Sequence, residues 1–415
     1  MNKLIGIPII AIVLLLIDYY AYSAIKSVTT SKLVSQIYWG VSVVSIVALF
    51  AYHFLPPDLL GKKVRMLIMT GIFINYFSKF FGILFLFIAE IFRFFQWIWM
   101  KLQSLTASTT AETPVNDPII SRSEFLTKTA MVASALPAIS LTWGIISGAH
   151  DYRVRRMKLK LANLPKAYHG MKLGQLSDIH SGSFFNKVAV KGGVDMLLKE
   201  KPDLIFFTGD LVNNTASEVN DYIAIFDKVK APLGVFSTLG NHDYGDYVQW
   251  DSPQAKRQNL KDLMAAHKQL GWDLLMDEHR FLNLSNEKLA IIGIQNWGAG
   301  ERWPKYGNLE KAKLNTDDAA VKLLLSHDPS HWDARVRTQH KDINAMFAGH
   351  THGMQFGIET EYFKWSPSQY AYKQWAGLYE SEGQQLYVNR GFGYLGYPGR
   401  VGILPEITIF ELESA

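Results

Sequence analysis

Eight side chains stand in a pattern that could hold metal ions, in the groups Asp178-x-His180, Gly209-Asp210, Gly240-Asn241-His242, a lone His327 after Ser326, and Gly349-His350-Thr351-His352, and a ninth polar residue, Asp243, follows the third group. Carboxylate oxygens and imidazole nitrogens are the donors that suit Mn, Fe or Zn. The chain contains no cysteine, which excludes disulfides, thiolate-bound zinc and iron–sulfur clusters. Any metal must therefore rest on His, Asp, Asn or water. One histidine after an apolar run is more simply a structural residue, whereas the whole set is not explained that way.

Each group follows a short apolar run that reads as a buried strand. Met171 to Ser177 precedes Asp178, Leu204 to Thr208 precedes Gly209, and Val235 to Leu239 precedes Gly240. Val321 to Leu325 and Ile343 to Phe347 lead to the later histidines. Helical patterns at Val188 to Glu200 and Val219 to Val229 lie between them, so strands and helices alternate as in an α/β fold. Open α/β sheets gather their ligands beyond the carboxyl ends of strands. In an extended Asp178-x-His180 segment both side chains would point one way and reach one ion. His350 and His352 would sit on one side and reach two different ions. The glycines at 209, 240 and 349 permit tight turns and close backbone approach.

In order, these five elements resemble the signature of the calcineurin-like metallophosphoesterase family. They cover residues 178 to 352, the likeness extends from about Arg153 to Leu412, and it looks closest to the membrane-attached bacterial branch. The resemblance implies an α/β fold in which a two-sheet sandwich is flanked by helices. It also implies two divalent metal ions, the first on Asp178, His180 and His352, the second on Asn241, His327 and His350, with Asp210 bridging both. His242 is similar to the family's outer-sphere histidine, which contacts the substrate phosphate, and Asp243 would orient it. The expected activity is metal-dependent hydrolysis of a phosphomonoester, phosphodiester or pyrophosphate by a bridging hydroxide, with His242 as general acid. Some membrane-attached relatives hydrolyse the pyrophosphate of a UDP-linked acylated glucosamine, so a lipid-linked substrate such as a UDP-acylglucosamine is included. The alternative is a membrane scaffold or sensor with a non-catalytic domain, which would be expected to have lost ligands that this sequence keeps. Arg390, in Asn389-Arg390-Gly391, could grip a substrate phosphate or pair with a carboxylate.

The first 150 residues differ in kind from residues 151 to 415, which form the expected phosphoesterase domain. Apolar stretches at Leu4 to Tyr22, Ile37 to Phe54 and Met66 to about Ile88 are long enough to cross a bilayer, the third running into an aromatic stretch through Trp99. Trp97 and Trp99, near Arg93 and Lys101, suit a membrane interface. A polar loop is expected from Gln103 to Asp117, then a fourth apolar stretch from Ala130 to Ala149 containing Pro137, which could also be a buried soluble helix. Segment Ser121 to Lys128 resembles a twin-arginine export signal except that Ser123 stands where the second arginine belongs.

With four spans, Lys3, the group Lys62, Lys63 and Arg65, and the group Arg153, Arg155, Arg156, Lys158 and Lys160 share one side. The positive-inside rule then favours a multi-pass protein of the cytoplasmic or inner cell membrane with its catalytic half in the cytoplasm. Three spans, or a working export signal, would place that half outside. Net charge is only +5, with no basic block in the second half, so no nucleic-acid partner is expected and no obligate protein partner is inferred. Expected partners are the bilayer and the phosphate ester. The aromatic segment Tyr362 to Tyr379 is either packing over a sheet edge or an amphipathic mouth facing the bilayer. Loops with Trp250 and with Arg302 and Trp303 also flank the motifs.

Overall fold

The computed structural model describes residues 3–106, 122–301 and 304–414. They form two compact units, Met1–Thr142 and Trp143–Ala415. The first is helical: α1 (Lys3–Val28), α2 (Lys32–Phe54), α3 (Pro57–Thr106) and most of α4 (Arg122–Ile146). All four helices carry a stretch long and apolar enough to cross a membrane: Leu4–Val28, Lys32–Phe54, Asp58–Gln103 and Phe125–His150. In α4, Ile139 and Trp143 are each 65% exposed, which suits a lipid-facing surface and not a buried soluble helix. The third span and the aromatic stretch are one helix, interrupted only at Gly61. Helix α3 runs on to Thr106, so the expected polar loop begins later than Gln103. The rest of that loop, Ser121 of the export-like segment, and Arg302 and Trp303 lie outside the described residues. Asp18, fully buried among these apolar helices, is paired with Lys79 at 2.5 Å and accepts a hydrogen bond from the Tyr76 hydroxyl at 3.0 Å. An ionised group in such surroundings requires partners of this kind.

The second unit begins with β1 (Arg153–Leu161), β2 (Lys172–Leu176), β3 (Leu204–Thr208), β4 (Val235–Thr238), β5 (Asp273–Leu274), β6 (Glu278–Leu284) and β7 (Glu287–Gly293). It continues with β8 (Val321–Leu325), β9 (Ala345–Ala348), β10 (Ile358–Glu359), β11 (Lys364–Trp365), β12 (Gly377–Ser381), β13 (Gln384–Val388) and β14 (Glu406–Ser414). Two six-stranded sheets result, ordered β1-β14-β2-β3-β4-β5 and β12-β13-β9-β8-β7-β6, while β10 and β11 form a separate two-stranded ladder. The central strands are parallel, and antiparallel pairs occur at β14 with β2, β6 with β7, and β12 with β13.

Burial on both faces explains the unbroken apolar runs. Leu204 and Phe206 of β3 face the core between the sheets, where Phe206 meets Phe347 of β9 edge-on at 5.1 Å, while Ile205 and Phe207 face helices. Leu323 and Leu325 of β8 join the same inner core, and Leu324 faces outward onto Trp332 and Val336. Helix α5 (Lys187–Lys199) is capped by the Asn186 side chain and buries Val190, Val194 and Leu197 at helical spacing against the first sheet. The regular helix expected at 219–229 is instead a 3₁₀ segment, Ala216–Tyr222, and one α-turn, α6 (Ile223–Phe226). Ala216, Val219 and Tyr222 are all buried, and a three-residue repeat aligns on a 3₁₀ helix but drifts on an α-helix. Helix α7 (Pro253–Leu270) completes this layer.

Candidate metal centre

Strands β2, β3 and β4 of one sheet and β8 and β9 of the other all end at one place, and their following loops carry the motif residues. These loops are knit together by backbone hydrogen bonds. The Asp178 N–H donates to the Gly209 carbonyl at 2.9 Å, the His180 N–H to the Asp210 carbonyl at 3.0 Å, and the Gly349 N–H to the His327 carbonyl at 2.9 Å. The His350 N–H reaches across to the Asp178 carboxylate at 2.9 Å.

Extended geometry does not aim the ligands, contrary to the alternation argument. Asp178, His180, Asp210, His350 and His352 all have left-handed backbones, with φ between 50° and 72°. Such a conformation costs a non-glycine residue roughly 1–3 kcal/mol and persists where the surroundings over-determine it. The inter-loop hydrogen bonds supply that constraint, and tight turns therefore point successive motif side chains into one space. At Gly209, φ is +96° and a Cβ would lie 2.5 Å from the Gly240 nitrogen. Only glycine lets these two ligand-bearing loops touch.

Two groups of donors emerge. Asp178, His180 and His352 present one ligand atom each within 4.8 Å of one another, as do Asp210, His327 and His350. Asn241 joins the second group, its Oδ1 lying 3.1 Å from His327 Nε2 and 2.8 Å from His350 Nδ1. Asp210 faces both: its Oδ2 is 3.4 Å from His180 Nε2 and 3.2 Å from His327 Nε2. Its other oxygen accepts the His242 N–H at 2.9 Å, which fixes the carboxylate.

The donor set fits cations. His180 Nε2 and His352 Nε2 are buried and make no hydrogen bond, although Asp178 Oδ1 is 3.2 Å from His352 Nε2. The far nitrogen of His327 contacts the Thr208 carbonyl at 2.7 Å and that of His180 contacts Asn213 Oδ1 at 3.2 Å. Such contacts hold the proton on Nδ1 and leave Nε2 as a donor to metal. Burial pushes the Asp178 and Asp210 carboxyls up, but the facing imidazoles outweigh it and hold both below the usual carboxylate range. Burial lowers His327, and Asp210 more than reverses this, bringing it to about 10. The cluster thus draws positive charge into a buried space, and divalent ions can supply it.

Two expected roles change. Asp243 does not touch the His242 ring. Its Oδ2 accepts the N–H groups of Gly240 at 2.8 Å and Asp210 at 2.9 Å, and its Oδ1 those of Leu211 at 2.9 Å and Val212 at 3.3 Å. This buried carboxylate accepts from both loops at once, so Asp243 fastens them together. Burial and the Asp210 charge push it up to about 7, against the pull of those N–H groups. The His242 ring is held instead by the Asn213 carbonyl, 2.7 Å from Nδ1, and burial lowers its pKa. Arg390, offered as a substrate-binding residue, is 2% exposed and spends its guanidinium on Glu406 at 2.5 Å and Glu359 at 2.6 Å. Its ion pairs turn it away from a phosphate role.

Sequence reasoning missed Asn213, Arg400, whose Nη2 lies 3.1 Å from His352 Nδ1, and Tyr372, whose hydroxyl lies 2.6 Å from His350 Nε2. Tyr372 fell within the noted aromatic segment, but nothing in its spacing marked it. That segment divides: Trp375 is 4% exposed and packs with Ile403, while Tyr362 and Tyr370 are 91% and 79% exposed.

Comparison with known proteins places these features among relatives. Residues 2–149 match a family described as probable calcineurin-like phosphoesterase, transmembrane domain, and residues 171–354 match calcineurin-like phosphoesterase. The uncharacterized metallophosphoesterase YkuE of Bacillus subtilis is 30% identical over 64% of this chain and 87% of its own length. A Danio rerio transmembrane protein with metallophosphoesterase domain is 27% identical over 69% of this chain and 63% of its own. The UDP-2,3-diacylglucosamine pyrophosphatase LpxG of Chlamydia trachomatis is 27% identical over 64% of this chain and 91% of its own.

Proposed function

The chain belongs to the calcineurin-like phosphoesterase family, and we propose that this membrane-embedded hydrolase cleaves a phosphate ester or pyrophosphate carried by a lipid. Asp178, His180 and His352 would hold one divalent ion and Asn241, His327 and His350 a second, with Mn, Fe or Zn suited to these donors. The observation that carries this reading is the placement of Asp210 Oδ2 between Nε2 atoms of the two groups. One oxygen in that position can serve both ions.

When bound, such a pair acidifies a water and neutralises phosphate oxygens for in-line displacement. The protein's own contribution is positional. Asp210 is fixed through its second oxygen, and Asp243 holds the Asp210 and Asn241 loops at one spacing. His242 keeps its Nδ1–H on the Asn213 carbonyl, so that the protonated ring would give its Nε2 proton to the leaving alkoxide and return to the neutral form.

The lipid is supported by surface character. Met354, Phe356, Ile358, Tyr362, Phe363 and Tyr370 follow closely on His352, and each is 37% to 91% exposed. Such a run of exposed aromatic and aliphatic side chains suits a bilayer interface. The LpxG relative, named for a diacylated sugar nucleotide, adds weight. The basic groups at Lys62 to Arg65 and Arg153 to Lys160 favour a cell-membrane protein with the catalytic unit in the cytoplasm.

Detergent-purified protein loaded in turn with Mn, Fe or Zn should be offered p-nitrophenyl phosphate, bis-p-nitrophenyl phosphate and UDP-linked lipids. Metal-dependent turnover, fastest on the lipid-linked ester, is expected. No turnover of any ester with any metal would refute the proposal.

A further inference from the structure

A groove of about 590 Å³ opens beside the second donor group. That volume is in the range of small-molecule sites, roughly 300–1,000 Å³. It borders the candidate centre at the His350 ring, whose Nδ1 faces Asn241 and whose Nε2 faces two of the groove's lining residues. Tyr372 places its hydroxyl 2.6 Å from His350 Nε2, and Asp328 places Oδ2 3.7 Å from the same nitrogen. A group attached to a phosphate held at the centre would enter the groove by reaching past this ring.

Its walls are built. Asp328 is 3% exposed and held by the Ser330 N–H, while the Ser330 hydroxyl accepts the Ala299 N–H at 2.9 Å. Asp333, also in the lining, sits in a π-helical turn, Trp332–Val336, a rare widening of the helix that is frequent at functional sites. Asp333 is braced by Arg337 at 2.5 Å and by the Gln374 amide at 3.2 Å.

The chemistry of the walls selects an occupant. Asp328, which pairs with no cation among the described lining residues, disfavours a second anionic group, and Lys373, the cation among those residues, is exposed and already 3.7 Å from Asp333, which Arg337 also pairs. An acyl chain would strip water from Asp328, Ser330, Asp333 and Gln374 without replacing its hydrogen bonds. A ring bearing several hydroxyls satisfies both constraints, because carboxylates, a serine hydroxyl, an amide and a phenol can each exchange hydrogen bonds with it. We propose that this groove is a subsite for an uncharged, hydroxyl-rich ring, a sugar or similar polyol, carried on the phosphate that the centre cleaves. The proposal rests on the phosphoesterase reading above and adds the polar half of an amphipathic substrate, the apolar half lying along Met354 to Tyr370.

The test compares two esters with similar primary-alcohol leaving groups, glucose 6-phosphate and n-hexyl phosphate, each also as its p-nitrophenyl diester, on metal-loaded full-length protein. With two or more hydrogen bonds gained by the ring, kcat/KM for the sugar ester should exceed that for the hexyl ester by at least about tenfold. Ala334→Trp and Ala371→Trp fill the groove from exposed positions, so folding is not at issue, and each should reduce the ratio to near one. Asp333→Asn should lower it several-fold through KM. Val188→Trp, exposed elsewhere, should leave the ratio as in the parent. A parent ratio near one, or a ratio that survives both tryptophans, would overturn the subsite while leaving the phosphoesterase reading intact. Hydrolysis of none of the four esters by protein that turns over p-nitrophenyl phosphate or a UDP-linked lipid would overturn the subsite alone, and no turnover of any of these would overturn both.

Discussion

Replacing Asp243 by asparagine tests whether the two loops that carry Asp210 and Asn241 are held by one carboxylate. Each of its oxygens accepts two buried N–H groups. Whichever way an amide is turned, two of those donors lose their acceptor and face an NH₂. A buried donor left unsatisfied costs roughly 1–3 kcal/mol, so the substitution should cost about 2–6 kcal/mol. A unit of this size loses about 2–4 °C in Tm per kcal/mol, giving a fall of roughly 4–24 °C. The assay is thermal unfolding of metal-loaded protein at pH 8, above the value near 7 to which the Asp243 carboxyl is pushed, so the parent carries the ionised form. Metal content should fall in parallel, because both loops carry ligands. An unchanged Tm with full metal content would show that Asp243 fastens nothing. A normal Tm and normal metals with lost activity would instead restore the idea that it orients His242.

His242→Ala should retain its metals and slow hydrolysis of alkyl esters by roughly 10²- to 10⁴-fold, with a smaller defect on p-nitrophenyl esters, which leave without a proton; equal defects would argue against proton donation. Arg390→Met should destabilise the protein by roughly 1–3 kcal/mol, since it removes the charged hydrogen bond to buried Glu406 and leaves Arg155, 3.3 Å away, as that carboxylate's remaining cation, and Glu406→Gln in the same chain should recover part of that loss; a substrate-binding Arg390 would instead raise KM with little change in Tm. A reporter fused after Arg156 should behave as cytoplasmic, and an active alkaline-phosphatase fusion there would place the catalytic unit outside.

Strands β3 and β8 were legible residue by residue because both of their faces are buried, which writes an uninterrupted apolar run into the sequence. Strands β1 and β14 were not read as such. β1 is RVRRMKLKL, with charges on its solvent face, and its partner lies more than 250 residues along the chain. Local pattern cannot announce a pairing of that range. The motif residues were visible as a set because their types are chemically unusual at strand ends, and the structure brings them together. Their left-handed backbones were invisible, since Asp and His carry no mark of φ. The contacts of His242 and His327 to the Asn213 and Thr208 carbonyls were invisible for a related reason: every residue has a carbonyl. Arg390 was ambiguous because Glu406, which neutralises it, lies in β14 beyond the motifs.

The central claim, two ions sharing Asp210, is tested most directly by anomalous diffraction from Mn-loaded crystals. Two peaks per chain are expected, about 3.5–4 Å apart, flanking Asp210 Oδ2, one against Asp178, His180 and His352 and the other against Asn241, His327 and His350. A single peak, or two peaks that do not both contact Asp210, would contradict the account.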